Sequence, residues 1–216
     1  MDGLWLLSAA CIVFTVAMFS SGLSDLRVMI ARRSVENIQF LPFLTTNVNN
    51  LGWLYYGYLK GDGTLMTVNT IGASLQTLYI VAFIVCSAEK RSPLYQVLLS
   101  LGLLLLGYTY FYLWTPDVQV RLNQLGLFCS VFTISMYLSP LADLAHIMRT
   151  KSTKCLSFPL TVTTLLTSTS WVLYGLQRRD AYIMVPNMPG IVTSLVRLWL
   201  FWRYPPEQPL YHSLQA

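Results

Sequence analysis

Apolar residues in this chain gather in seven blocks, near residues 4–24, 40–59, 65–86, 94–114, 125–146, 159–177 and 182–202, with short polar stretches between them. A helix needs about 20 residues to cross the hydrocarbon of a bilayer, and each block has about that length. The pattern predicts an all-α integral membrane protein of seven transmembrane helices. The loops are too short to hold a separate globular domain. No Lys or Arg precedes the first block, and its apolar run exceeds the roughly 7–15 residues of a cleavable signal, so it is expected to stay in the membrane.

Composition agrees with the pattern: 55% of the residues are hydrophobic and 11% charged, against roughly a quarter charged in soluble domains. The formal charge of +5 would suit a nucleic acid in a soluble protein. In a membrane protein basic residues mark topology first, because they are retained on the cytoplasmic side. Arg27, Arg32, Arg33, Lys90, Arg91, Arg149, Lys151, Lys154 and Arg203 follow the odd-numbered blocks, whereas Lys60, Arg121, Arg178 and Arg179 follow the even-numbered ones. The N-terminus is therefore expected outside or in a lumen, the C-terminus in the cytoplasm, and no nucleic-acid partner. The four cysteines form no CxxC pair and no metal-like group with His146 or His212, which makes them packing residues and leaves no cofactor to expect.

Sliding the chain against itself by 118 residues superposes two copies. Between Cys11 and Leu26 nine of sixteen positions are identical to their counterparts between Cys129 and Leu144. The register continues through Trp53/Trp171, Tyr56/Tyr174, Gly57/Gly175, Asp62/Asp180, Asn69/Asn187 and Gly72/Gly190. Residues paired in this way are called repeat mates below. Such self-similarity is the mark of an internal duplication. Each copy holds three spans, so two copies joined directly would point in opposite directions. The fourth block has no counterpart in either copy, and one added crossing makes the copies parallel. The expected division is a first triple-helix bundle over 1–93, a linker helix within 94–124, a second bundle over 125–204 and a cytoplasmic tail over 205–216.

Polar side chains are costly in hydrocarbon and normally face the protein interior or a wet cavity. Asn69 and Asn187 stand out because they are repeat mates and their amides can both donate to and accept from hydroxyl groups. Bonding helices together is the plainer use of such amides. Trp53 falls about 9 Å and Asn69 about 6 Å below the outer ends of their spans at 1.5 Å per residue, so Trp53, Trp171, Asn69 and Asn187 can share one level. Indole faces flanking amides suit a small neutral polyhydroxy ligand, and paired rings leave room for a monosaccharide rather than sucrose. At the cytoplasmic ends Pro42, Pro140 and Pro159, with Gly22 as the repeat mate of Pro140, could form an inner gate on bendable helices. For Pro42 and Pro159 a simple helix-start role is the alternative, and for Gly22 a proline is expected to be tolerated. Tyr56, Gly57, Tyr174, Gly175 and Asp180 sit at the opposite mouth, as an outer gate or as helix caps.

The stretches Ser34–Pro42, Trp53–Gly57, Val68–Gly72, Ser139–Leu141, Trp171–Gly175 and Pro186–Gly190 together resemble the SWEET family of sugar transporters (solute carrier family 50), and its animal members in particular. The resemblance runs from about residue 9 to 202. It implies two parallel triple-helix bundles, an arrangement the family exemplifies, and a facilitative uniporter using alternating access. It also implies a pocket of paired Asn and aromatic residues and a proline tetrad at the inner gate. Gly22 departs from that tetrad, and Pro159 lies one residue out of register with Pro42.

Other readings fit less well. A seven-helix receptor is not built from a duplication. A retinal-linked pump needs a lysine in its last span, yet the last lysine is Lys154. PQ-loop amino-acid carriers have glutamine after the proline, and neither Pro42 nor Pro159 is followed by one. No nucleophile or acid groups with a histidine, so no enzyme is expected. Tyr211-His212-Ser213-Leu214 matches a Tyr-x-x-apolar trafficking-adaptor signal, which would divide the protein between the plasma membrane and Golgi or endosomal membranes. Homo-oligomer formation is left open by the sequence.

Overall fold

The computed structural model describes residues 2–153 and 156–204; Tyr211 and Lys154 lie outside them. The described residues form ten α-helices and two 3-10 turns: α1 (Asp2–Phe19), a turn (Ser20–Gly22), α2 (Leu23–Arg32), α3 (Leu41–Lys60), α4 (Gly63–Cys86), α5 (Arg91–Leu113), α6 (Val118–Ser135), α7 (Leu138–Thr150), α8 (Phe158–Gln177), α9 (Ala181–Met184), a turn (Val185–Asn187) and α10 (Met188–Arg203). These make seven spans, three of them broken: α1–α2, α6–α7 and α9–α10. The fold is all-α, two parallel three-helix repeats joined by α5.

Side-chain caps start several helices by satisfying N–H groups that lack an intrahelical partner. Asp62 accepts from the Leu65 N–H at 3.0 Å, and Asp117 from the Val120 N–H at 2.9 Å. α3 and α8 each carry a proline in their first turn, where the missing N–H costs no helix bond. Gly61 closes α3 with φ 67°, a left-handed conformation that glycine adopts without strain.

Four helical stretches are apolar and long enough to cross a membrane by composition: 3–32, 63–86, 91–113 and 181–203. The other three spans are more polar for a structural reason. They carry Thr46, Asn49, Asn50, Thr133, Thr164, Thr167 and Ser168, which face a cavity rather than lipid.

In the first copy α4 packs against both α1 and α3, and in the second α8 packs against α10; across the copies α1 meets α8 and α3 meets α6. α5 touches α3 mainly through Tyr55, whose ring lies 5.7 Å from Tyr108 and 6.5 Å from Phe111. Its leucines 101, 103, 105 and 106 point outward, as a lipid-facing linker requires.

The core is divided unevenly. At the end carrying Asp62 and Asp180 one cluster joins both copies and contains repeat mates Cys11/Cys129, Trp53/Trp171, Tyr56/Tyr174 and Leu65/Ile183. At the end carrying Pro42 and Pro159 each copy has its own cluster, Met29, Phe43, Tyr79 and Phe83 in the first, Leu144, Ile147 and Leu200 in the second. The two copies are thus fastened together at one end and separate at the other.

Candidate functional site: a central cavity closed at one end

A cavity of about 420 Å³ lies between the copies, within the ~300–1,000 Å³ usual for small-molecule sites. Trp53, Asn69, Trp171 and Asn187 all line it, so the four residues singled out from the repeat meet in one place. Trp53 and Trp171 are 7% and 6% exposed. Each indole N–H crosses to the other copy: Trp53 Nε1 donates to Thr133 Oγ1 at 3.0 Å and Trp171 Nε1 to Thr15 Oγ1 at 2.9 Å. Thr15 and Thr133 are themselves repeat mates. These bonds fix the ring orientations and leave the faces for apolar contact.

The two asparagines are held alike. Asn69 Nδ2 donates to the Leu65 carbonyl and Asn187 Nδ2 to the Ile183 carbonyl, both at 2.8 Å. One turn of backbone therefore anchors each amide while the remainder of the group borders the cavity. The backbones differ: Asn69 lies inside the continuous α4, whereas Asn187 ends the turn at Val185–Asn187, beside buried Pro186. Proline has no N–H to continue a helix, and here it breaks the seventh span where the third is unbroken.

Above the indoles the cavity is sealed by reciprocal bonds between the copies. Tyr56 Oη donates to Asp180 Oδ2 at 2.9 Å, and Tyr174 Oη to Asp62 Oδ1 and Oδ2 at 2.9 and 3.0 Å. Lys60 pairs with Asp180, and Arg178 Nε stands 3.6 Å from Asp62 Oδ2. Each carboxylate is also tied into its own copy, because Asp62 caps α4 and Asp180 accepts from the Tyr182 and Ile183 N–H groups. Both carboxylates are buried, and a buried charge is tolerable only when paired and hydrogen-bonded in this way. Gly57 and Gly175 do not themselves bond across the mouth. A Cβ on Gly57 would come 2.9 Å from Leu65 Cβ, and one on Gly175 2.9 Å from the Met184 nitrogen, so these glycines let the helix pairs close tightly behind the tyrosines.

Sequence reasoning named Asp180 here and missed Asp62, Lys60, Arg178, Thr15 and Thr133. The signal was present, since all but the swap of Lys60 for Arg178 are identical repeat mates. What the sequence lacked was the knowledge that each partner comes from the opposite copy.

The four residues expected at the inner end fall on two kinds of local structure, helix starts and breaks within spans. Pro42 and Pro159 sit exposed at the second positions of α3 and α8, helix-start positions that bend nothing. Both helices have 20 residues, and α8 begins one register position early together with its proline, which accounts for the offset between the two. The breaks fall elsewhere. In the first copy the break is the Ser20–Gly22 turn, and in the second Met136 and Tyr137 interrupt the span before α7, which carries Pro140 in its first turn. The expectation that proline would be tolerated at Gly22 is corrected by packing: a Cβ there would lie 2.6 Å from the ring of Tyr79, a fully buried residue.

A closed mouth of reciprocal tyrosine–carboxylate bonds above a cavity shared by two repeats defines a membrane carrier with one central site. Comparison with known proteins places the carrier more narrowly. The family model described as "sugar efflux transporter for intercellular exchange" matches residues 5–91 and 123–209. The chain is 74% identical to Sugar transporter SWEET1 of Xenopus tropicalis over 99% of this chain and all of that one. It is 67% identical to Sugar transporter SWEET1 of Homo sapiens over 94% of this chain and 92% of that one. A solved structure of a eukaryotic SWEET transporter superposes with a TM-score of 0.85 at 29% identity, covering 93% of this chain and 96% of that one. The chain belongs to the SWEET family of sugar transporters, whose members are carriers and not enzymes.

Proposed function

We propose that this protein is a facilitative, bidirectional uniporter for glucose-type monosaccharides that works by alternating access. The observation that carries the reading is the cavity itself, where Trp53, Trp171, Asn69 and Asn187 converge from both copies beneath a closed mouth. Indole faces match the C–H face of a sugar ring, and anchored amides exchange hydrogen bonds with its hydroxyls. The names of the relatives, sugar transporters, point to the same substrate class. On this reading the bundles over 1–93 and 125–204 rock about the site, α5 within 94–124 links them, and 205–216 is a cytoplasmic tail.

The mouth formed by Tyr56, Tyr174, Asp62 and Asp180 is then the outer gate, a reading supported by the basic residues that crowd the other end. Separate inner cores support reading this as an inward-facing state. Gly22 and Pro140 mark the bends of the inner half, with Pro42 and Pro159 at the rim. The membrane occupied is the plasma membrane together with Golgi or endosomal membranes, sorted through Tyr211; unchanged distribution of Tyr211→Ala under the microscope would refute the sorting signal.

The decisive experiment is labelled glucose flux into and out of liposomes holding only the purified protein, with and without a proton gradient. Equal flux in both directions that ignores the gradient is expected. Accumulation driven by the gradient would overturn uniport, and absence of glucose flux would overturn the substrate.

A further inference from the structure

The broken first spans of the two copies each carry an aromatic ring at the break. Phe19 ends α1 just before the Ser20–Gly22 turn, and its repeat mate Tyr137 stands between α6 and α7. Both residues are half-buried and border the cavity. They follow Thr15 and Thr133, which accept the indole N–H bonds, by four residues. The rings therefore lie about one helical turn from the indole level, toward the end where the cores are separate.

The third span of each copy has a glycine against the ring. A Cβ on Gly72 would come 2.5 Å from Phe19 Cε2, and one on its mate Gly190 would come 2.6 Å from Tyr137 Oη. Any larger residue would fill those places, so each ring sits in a notch that glycine leaves open. Asn50 and its mate Ser168 crowd the same two positions from the middle span of their copy. The first break is pinned as well, since Tyr79 donates to the Phe19 carbonyl at 3.1 Å.

Closing a passage to water and solute takes bulky apolar groups from both sides that meet in a constriction. Pro42 and Pro159 are exposed helix-start residues and supply little bulk. Phe19 and Tyr137 supply one ring from each copy, at the points where the spans bend. We propose that these two residues are the inner gate of the carrier: stowed in their glycine notches here, the rings leave them and meet across the passage when the inner end closes. The inference rests on the alternating access proposed above and adds to it the groups that close the inner end.

The test is cross-linking of a purified Phe19→Cys/Tyr137→Cys double variant with a short bismaleimide, read as the bridged peptide by mass spectrometry. Each single variant controls for the native cysteines. Adding Tyr174→Phe, which removes a bond of the closed outer mouth, should raise the bridged yield severalfold. As a second measurement, Gly72→Ala fills a notch and should raise the outward-open population about tenfold, read as faster labelling of a cysteine placed at Leu65. Adding Phe19→Ala should cancel that rise. A bridged yield that Tyr174→Phe leaves unchanged or lowers overturns the inference, as does Leu65 labelling that ignores Gly72→Ala. Failure of the double cysteine variant to fold would also overturn it, by making the rings packing residues. A Leu65 cysteine never labelled from outside, even with Tyr174→Phe, would sink alternating access itself, a separate outcome.

Discussion

Tyr174 donates its hydroxyl to the Asp62 carboxylate from the opposite copy, and Tyr56 returns the same bond to Asp180. Two interactions related by the duplication therefore close one mouth. Opening it requires both to break, since each bond joins one copy to the other. A hydrogen bond to a charged group contributes about 1.5–3 kcal/mol. Tyr174→Phe should therefore raise the outward-open population roughly tenfold or more, read as faster labelling of a cysteine placed at Leu65. Unchanged labelling would show that the tyrosines only pack.

Asn69→Ala and Asn187→Ala should each abolish glucose flux while the protein stays folded. Each amide makes its one observed protein bond to a carbonyl four residues back in its own span, and the carbonyls stay within reach of backbone donors. Leaving a desolvated sugar hydroxyl unpaired costs about 1–3 kcal/mol. Normal flux in both variants would remove these residues from the site.

Trp53 and Trp171 each bond across the copies and flank the cavity. Wild type should favour monosaccharides over sucrose, and cutting both residues to Ala should end glucose flux. Competition by sucrose equal to that by glucose would overturn the size argument. Undiminished glucose flux in the double variant would overturn the stacking argument.

Gly22→Ala should destabilise the protein by about 1–3 kcal/mol, the usual cost of overpacking, because Tyr79 fills the space a Cβ would take. The ring is held in place, its hydroxyl donating to the Phe19 carbonyl at 3.1 Å beside the break in the first span. Truncating Tyr79 should relieve the clash, so Gly22→Ala combined with Tyr79→Ala should cost less than the sum of the separate changes. Strict additivity in thermal unfolding would separate the two residues.

Pro140→Ala should slow flux while glucose binding survives. Proline at this position offers no N–H to the Met136 carbonyl, and alanine would supply one, favouring a continuous helix across the break at Met136 and Tyr137. Binding and flux measured in one preparation decide the matter: wild-type flux would end the hinge role, and joint loss of folding and binding would make Pro140 a packing residue.

The sequence by itself determined the seven spans, the duplication, the parallel relation of the copies and the convergence of Trp53, Trp171, Asn69 and Asn187. These follow from block length and a constant offset, which survive without knowledge of contacts. Tertiary structure decided how the repeats interlock. That the Asp62 carboxylate serves Tyr174 rather than Tyr56 and that Gly22 faces Tyr79 rather than awaiting a proline are facts of packing between segments far apart in the chain. An offset equates residues that occupy like positions in two copies. It is silent on which copy supplies the partner, because that depends on how two rigid bundles meet across a shared cavity.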